Sequence, residues 1–302
     1  MSDAPAGTVA DVTVVMPAMD REHLIARSLR SAQDQTCPPA RVVVVDDAST
    51  DGTARVAKTC GADVLTMPER SGSGPARNAG IAQATTRWVA FLDSDDEWLP
   101  DHLERLVEGA AQEPGAVMVT APARATSGRW MGNPSRRVRH LRPQDMLVPS
   151  DLVVTSGTMV TSEALAAAGG FRPLRRAQDL DLWLRVLEVG PGVALTEPGV
   201  RYHEHAEQAS VDKDLMREHF TTILASVDER PWMTPALRQG AWSRVVWDDL
   251  RLAQAERRWR DALGSAGWFA RRPAAVGALV RVLRRRRQAR RRALQVRDGT
   301  EP

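Results

Sequence analysis

Five short runs of apolar, mostly β-branched residues constrain the fold of this chain more than any other feature. They are VTVVM (Val12 to Met16), VVVV (Val42 to Val45), VLT (Val64 to Thr66), WVAFL (Trp88 to Leu92) and VMVT (Val117 to Thr120). A strand with one wet face alternates apolar and polar residues, whereas an unbroken apolar run needs cover on both faces. The runs therefore predict a mostly parallel, twisted sheet between helices, an α/β fold. Segments of helical period fall between them. His23 to Ala32 places Leu24, Ser28 and Leu29 on a helical period, and the stretch from Leu99 puts Leu99, Leu103, Leu106 and Val107 on one stripe, with Pro100 and Asp101 at its start.

Past about residue 121 the pattern weakens. A loop-rich stretch (Ala125 to Pro134) leads to a short helix near Pro143 and a strand-like patch at Thr158 to Thr161. From Lys213 the chain reads helical, and Trp232, Trp242, Trp247, Trp259 and Trp268 are expected to be core anchors. The two cysteines, Cys37 and Cys60, lack C-x-x-C spacing, so they read as packing residues of a reducing cytoplasm and not as a disulfide framework or zinc site. Neither a basic-then-apolar leader nor an apolar run of about 18 residues is present, which points to a cytoplasmic location.

Charge is unevenly distributed. The formal net charge is +3, yet 11 arginines and no acid lie between Arg271 and Arg297, so the rest of the chain is acidic. Val276, Leu279, Val280 and Leu283 fall at i, i+3, i+4 and i+7 just ahead of the arginine run. An amphipathic helix followed by basic residues suits the surface of an anionic membrane, at about 1 kcal/mol per basic residue. A solvated tail is the competing use. Nucleic-acid binding is disfavoured, because no aromatic interleaves these arginines after Phe269 and the acidic body would repel a phosphate backbone.

In an open parallel sheet, ligands bind at the carboxyl ends of the strands. The residues there are Pro17-Ala18-Met19-Asp20, then Asp46-Asp47-Ala48-Ser49, then Asp93-Ser94-Asp95-Asp96-Glu97. Carboxylates gathered this closely repel one another unless a cation neutralises them, and hard oxygen donors suit Mg2+ or Mn2+. No G-x-x-x-x-G-K-[ST] loop occurs, and Arg77 replaces the third glycine of a dinucleotide fingerprint after Gly72-x-Gly74. SGSGPARNAG reads better as a glycine-rich loop entering a helix at about Pro75 to Ala84, with Arg77 in its first turn able to pair with a phosphate.

Taken together, VVMPAMD, VVVVDDASTDGT, GPARNAGI, FLDSDDEWLPDHL and GGFRPLRRAQDLDLWLRV resemble the family 2 glycosyltransferases of GT-A fold over roughly residues 10 to 212. A C-terminal helical region (213 to 270) and the basic tail (271 to 302) lie beyond the resemblance. It implies a nucleotide-sugar donor, a divalent cation and an acceptor of unknown kind. Pro17 and Asp47 fall where the family contacts the nucleotide, with Asp47 facing the base and Arg77 nearby. Asp93 and Asp95 fall on the ends of its D-x-D motif, Asp93 toward the ribose and Asp95 on the metal. Asp179 falls on the catalytic base, flanked by Gln178 and Asp181 as candidates for the acceptor side. Asp181 also suits a helix start, as Asp96 and Glu97 suit loop and helix-start structure. His205 falls on a histidine often found near the diphosphate, although His203 and His205 on an expected strand could simply make hydrogen bonds. Met19, Asp20, Ala48 and Gln178 stand where tyrosine, asparagine, glycine and glutamate are common.

The implied chemistry is a single inverting displacement, parallel in logic to an inverting glycosidase. A metal at Asp95 would stabilise charge developing on the diphosphate, and Asp179 would take the acceptor proton. A non-catalytic nucleotide-sugar binder is the alternative, but it would have no need of a base.

Overall fold

The structure is a computed structural model that describes residues 9–132, 139–147, 153–204, 213–255, 257, 259–272, 274–277, 280 and 284. The chain separates into two compact units. The first takes everything described up to Arg142 and from Val153 to Glu204; the second takes a short helix at Pro143–Leu147 and the helices from Lys213 onward.

The first unit opens as a run of alternating strands and helices: β1 (Ala10–Ala18), α1 (Ile25–Gln33), β2 (Pro39–Asp46), α2 (Thr53–Thr59), β3 (Asp63–Thr66), α3 (Ser73–Ile81) and β4 (Trp88–Phe91). It continues through β5 (Glu97–Trp98), α4 (His102–Gln112), β6 (Met118–Thr120), β7 (Ala123–Ala125), β8 (Trp130–Met131) and β9 (Arg139–Leu141). The Pro143–Leu147 helix is α5; β10 (Thr158–Thr161), α6 (Ser162–Ala168), α7 (Gln178–Val189), β11 (Gly192–Ala194) and β12 (Val200–Tyr202) complete the first unit.

An eight-stranded sheet runs β3-β2-β1-β4-β10-β6-β11-β9, and a small sheet runs β5-β12-β7-β8. The pairs among β3, β2, β1 and β4 are all parallel, in keeping with the unbroken runs. Val14, Val44 and Ala90 on these strands are wholly buried in the main core with Ile25 and Leu29 of α1. β3 departs from the expectation of two buried faces: Val64 and Leu65 are only half-buried, because β3 is an edge strand. β10 is antiparallel to both β4 and β6. Its amino-terminal end therefore lies at the carboxyl end of β4.

Local boundaries shift from the sequence pattern by a few residues. α1 buries Ile25, Ser28, Leu29 and Ala32, while Leu24 sits at its cap. Asp101 does stand at the cap of α4, where the side chain of Gln35 accepts from the Leu103 amide at 2.8 Å. Within α4, His102 is wholly buried, and neither ring nitrogen hydrogen-bonds among the described residues. Burial, reinforced by Arg105, pushes its pKa down to about 3. Cys37 and Cys60 are free thiols packed against the main core.

The second unit contains α8 (Lys213–Ser226), α9 (Pro235–Ala255) and α10 (Trp259–Ala270). Its buried apolar residues include Ile223, Leu224, Val227, Met233, Ala241, Val245 and Ala253. The expected tryptophan anchors are different: Trp232, Trp242, Trp247 and Trp268 are only partly buried, and Trp268 stacks edge-on with Phe269 and faces Arg272. An indole is too large for the spacing between helices that aliphatic side chains close, so its rim stays at the surface. No described helix is long and apolar enough to cross a membrane. Most of the Arg271 to Arg297 segment lies outside the described residues.

Candidate active site

The first acidic cluster is fastened by backbone amides. Asp47, just past β2, is 3% exposed, and its two carboxylate oxygens accept from the amides of Ser71 and Gly72, each at 2.7 Å. Such charge-assisted bonds are among the stronger ones available. Gly72 adopts φ +92°, which only glycine takes readily, and so turns its N–H toward Asp47. α3 then begins at Ser73, two residues earlier than the sequence suggests, which moves Arg77 out of the first turn. Pro17 is buried inside β1, opposite Val45 of β2. Beside it, the β1 and β2 loops are tied together: the amide of Thr50 donates to Asp20 at 2.8 Å, and that of Asp20 donates to Ser49 at 3.0 Å.

The second cluster follows β4. Arg77 is 5% exposed; its guanidinium donates to Asp93 at 2.5 Å and lies 5.4 Å from the centre of the Phe171 ring. Its charge is thus spent largely within the protein, setting the direction of Asp93. Asp95 keeps a partly exposed side chain with Arg21 at 3.9 Å, and Arg27 donates to its backbone carbonyl at 2.9 Å.

Contrary to the sequence expectation, neither Asp96 nor Glu97 starts a helix: β5 begins at Glu97 and α4 only at His102. Asp96 is 1% exposed, accepting from the Ser156 hydroxyl at 2.5 Å and the His203 amide at 3.2 Å. Burial, then the neighbouring Asp93, pushes its pKa up to about 8, with the Ser156 hydrogen bond working against that rise. Glu97 lies in β5 and meets Arg27 at 3.1 Å and His203 at 2.5 Å. His203 stands just beyond β12, so the expected strand ends at Tyr202; His205 lies outside the described residues.

The third group sits at the start of α7. Ala177, the residue before the helix, is held at φ +55°. Asp179 accepts from the Thr155 hydroxyl at 3.3 Å and from the Leu180 amide at 2.8 Å. Gln178 donates to Ser73 at 2.5 Å, which joins the start of α7 to the start of α3. Asp181, a candidate for the acceptor side, is 3% exposed and committed to Arg185 at 2.5 Å and Arg172 at 3.3 Å. Two cations neutralise its charge inside the fold, so it anchors α7 and the preceding loop.

Beneath these polar groups lies an aromatic trio. Phe91 at the end of β4 is 5.7 Å from Phe171 and 5.8 Å from Trp183 of α7. Asn78 grips the backbone of Phe171 with two 2.8 Å hydrogen bonds, one given and one accepted. Thr155, Ser156, Asn78 and Phe171 border these groups without belonging to any of the strand-end clusters. A buried T-S-G turn directly before a strand that adjoins β4 is the signal that finds the first two.

Among the described residues no three His, Cys, Asp or Glu side chains converge as a ready-made metal cage. The donor set instead fits a cation held by one or two carboxylates and completed by phosphate oxygens and water, the usual manner of Mg2+.

The family model for Glycosyl transferase family 2 matches residues 13–167. That span includes Pro17, Asp47, Arg77, Asp93 and Asp95, and stops short of Asp179. The succinoglycan biosynthesis protein ExoO of Rhizobium meliloti is 45% identical over 105 residues, 34% of this chain and 30% of the relative. The putative teichuronic acid biosynthesis glycosyltransferase TuaG of Bacillus subtilis is 37% identical over 102 residues, 32% of this chain and 40% of its own. The chain thus matches well under half the length of these relatives. Among solved structures, S. aureus TarS 1-349 in complex with UDP-GlcNAc superposes with a TM-score of 0.69 at 16% identity, covering 95% of this chain and 92% of that one. The mannosyltransferase PcManGT from Pyrobaculum calidifontis, in complex with GDP-Man and Mn2+, gives 0.58 at 21%, covering 93% and 91%. At such identities the likeness establishes the GT-A type fold.

Proposed function

The chain belongs to glycosyl transferase family 2, and on that premise we propose that it moves a sugar from a nucleoside diphosphate donor, a uridine diphosphate sugar above all, to an acceptor hydroxyl with inversion. The observations that support the reading are that Asp47, Asp93 and Asp95 follow the parallel strands β2 and β4 at the ends where ligands of such folds bind, and that Thr155 and Ser156 link Asp179 to the Asp93–Asp96 loop. The complexes of TarS with UDP-GlcNAc and of PcManGT with GDP-Man and Mn2+ support a nucleotide sugar and a divalent cation here.

Pro17 and Asp47 contribute the base side of the donor site, Asp47 chiefly by fixing the Ser71–Gly72 loop. Arg77 directs Asp93 toward the ribose. Asp95 holds Mn2+ or Mg2+, which when bound neutralises charge developing on the leaving diphosphate. His205 is a further diphosphate contact. Asp179 takes the proton of the acceptor hydroxyl as the new bond forms on the face opposite the leaving group. Gln178 borders the acceptor, a glycan, a lipid carrier or a small molecule. A binder without catalysis would not require Asp179.

The protein works in the cytoplasm, and its Arg271 to Arg297 segment contacts the anionic inner face of a membrane; sedimentation with anionic vesicles should be lost on removing residues 271–302. For the enzyme reading, nucleotide release and transfer are compared with Mn2+ or Mg2+ for the wild type, Asp95→Asn and Asp179→Asn. Wild-type transfer by Asp179→Asn would remove the base assignment. Thermal shift with a panel of nucleotide sugars, with and without metal, identifies the donor by the stabilisation that binding confers.

A further inference from the structure

The turn Thr155–Gly157 brings two adjacent side chains to two different acidic groups. Ser156 is 1% exposed and bonds to the D-S-D-D loop twice and to β5 once: its hydroxyl donates to Asp96 at 2.5 Å and accepts from the Asp93 amide at 3.2 Å, and its carbonyl accepts from the Trp98 indole at 2.6 Å. Thr155, 8% exposed, turns the other way and donates its hydroxyl to Asp179 at 3.3 Å. The turn itself has little freedom. The Gly157 carbonyl accepts from the Ala121 amide at 2.8 Å, and a Cβ on Gly157 would lie 2.3 Å from the Ala121 carbonyl oxygen. Directly after it, β10 pairs with β4 through Met159, Val160 and Thr161.

We propose that Thr155 is a positioning residue for Asp179, and that the Thr155–Ser156 pair fixes the distance and direction between the carboxylate that takes the acceptor proton and the loop that faces the donor. The inference rests on the assignment of Asp179 as the base. Asp179 belongs to α7, whereas Asp93 and Asp95 belong to the β4 loop, so a device is needed to hold one relative to the other. The Leu180 amide holds one oxygen of the Asp179 carboxylate at 2.8 Å, and the Thr155 hydroxyl, carried at 3.3 Å on a rigid turn, sets the direction of the other. Ser156 does the same for the loop from the neighbouring position.

The test uses the full chain, with UDP-GlcNAc and Mn2+ as the probe and UDP release as the readout, beside crystal structures of the wild type and Thr155→Val. Thr155→Val is expected to lower kcat about ten-fold, since small misplacements of catalytic groups cost this much or more, with the donor KM and Tm unchanged. Thr155→Ser, which keeps the hydroxyl, should restore the rate. The Thr155→Val crystal should show the Asp179 carboxylate rotated from its wild-type orientation. The inference is overturned if Thr155→Val retains the wild-type kcat while Asp179→Asn is inactive, or if the Asp179 rotamer is the same in both crystals. It is equally overturned if Thr155→Val lowers Tm and raises KM along with the fall in kcat, which would mark a purely structural residue. Full activity of Asp179→Asn would instead remove the base assignment, a result distinct from either.

Discussion

On the side proposed for the nucleotide, Asp47 is gripped by two backbone amides at 2.7 Å and Asp93 by a buried guanidinium at 2.5 Å; on the side proposed for the catalytic carboxylate, Asp179 accepts a threonine hydroxyl at 3.3 Å and an amide of its own helix. Backbone amides in a closed loop cannot rotate away, whereas a hydroxyl on a β-branched side chain can. Under the proposed reaction, the first side meets a donor of fixed chemistry and the second must let an acceptor arrive and leave. Rigidity is concentrated on the side where the ligand does not vary.

That contrast is open to measurement, and the largest effect expected is on rate. Asp179→Asn should lose between about 10²- and 10⁴-fold in kcat, the usual worth of a positioned base, while still binding the donor by thermal shift. Loss of donor binding in this variant would mean that the two sides are not separable.

Next comes stability. Asp47→Ala removes two charge-assisted hydrogen bonds from the Ser71 and Gly72 amides and should lower the unfolding free energy by about 1.5–3 kcal/mol, read by denaturant titration, whereas Asp179→Ala should change it little. Equal costs for the two would abolish the contrast.

A comparable effect is expected with acid at His102, whose ring lies 4.8 Å from that of Trp98, the residue whose indole donates to the Ser156 carbonyl. The unfolded histidine takes up its proton near 6.5, and the native one resists until about 3. The contribution of His102 to stability is therefore full above pH 6.5 and is lost as the pH drops, by about 2–3 kcal/mol at pH 4.5, whereas Asp96, raised to about 8, contributes in the opposite direction. His102→Leu should flatten that slope between pH 7 and 4.5; a slope equal to that of the wild type would show that other groups carry it.

The smallest expected effects concern two alanines in left-handed conformation, Ala48 at φ +55° beside Asp47 and Ala177 at the same angle before α7. Replacing each with glycine should raise stability by about 0.5–1 kcal/mol, because glycine bears no Cβ penalty there. If strain at Ala177 orients Asp179, Ala177→Gly will gain stability and lose rate, while Ala48→Gly will gain stability alone.

The parts legible in the sequence were those set by local chemistry. β1, β2 and β4 announce themselves because buried parallel strands are written as unbroken β-branched runs, and the strand-end rule then leads to Asp47, Asp93 and Asp95. β5, β7, β8, β11 and β12 are two or three residues long. A period of two cannot show itself in so few positions, so their existence depends on partners elsewhere in the chain. The clamp on Asp47 involves amides 24 and 25 residues away, and the Thr155 and Ser156 contacts depend on β10 running antiparallel. The glycine commonly found at position 48 is explained afterwards by the backbone angle that Ala48 must adopt. The tryptophans of the second unit misled because size suggests burial, whereas fit between helices decides it.

The reversed β10 has a consequence for what the sheet edge can offer. A wholly parallel sheet presents only strand exits at its ligand side, and whatever follows each exit must wander off to reach the next strand. One strand entering there gives the site a segment that arrives already aligned, bound to the scaffold on its far side by ladder hydrogen bonds. The Thr155–Gly157 turn thus behaves as a fixed sill, and the loops on either side of it can lengthen without carrying it along.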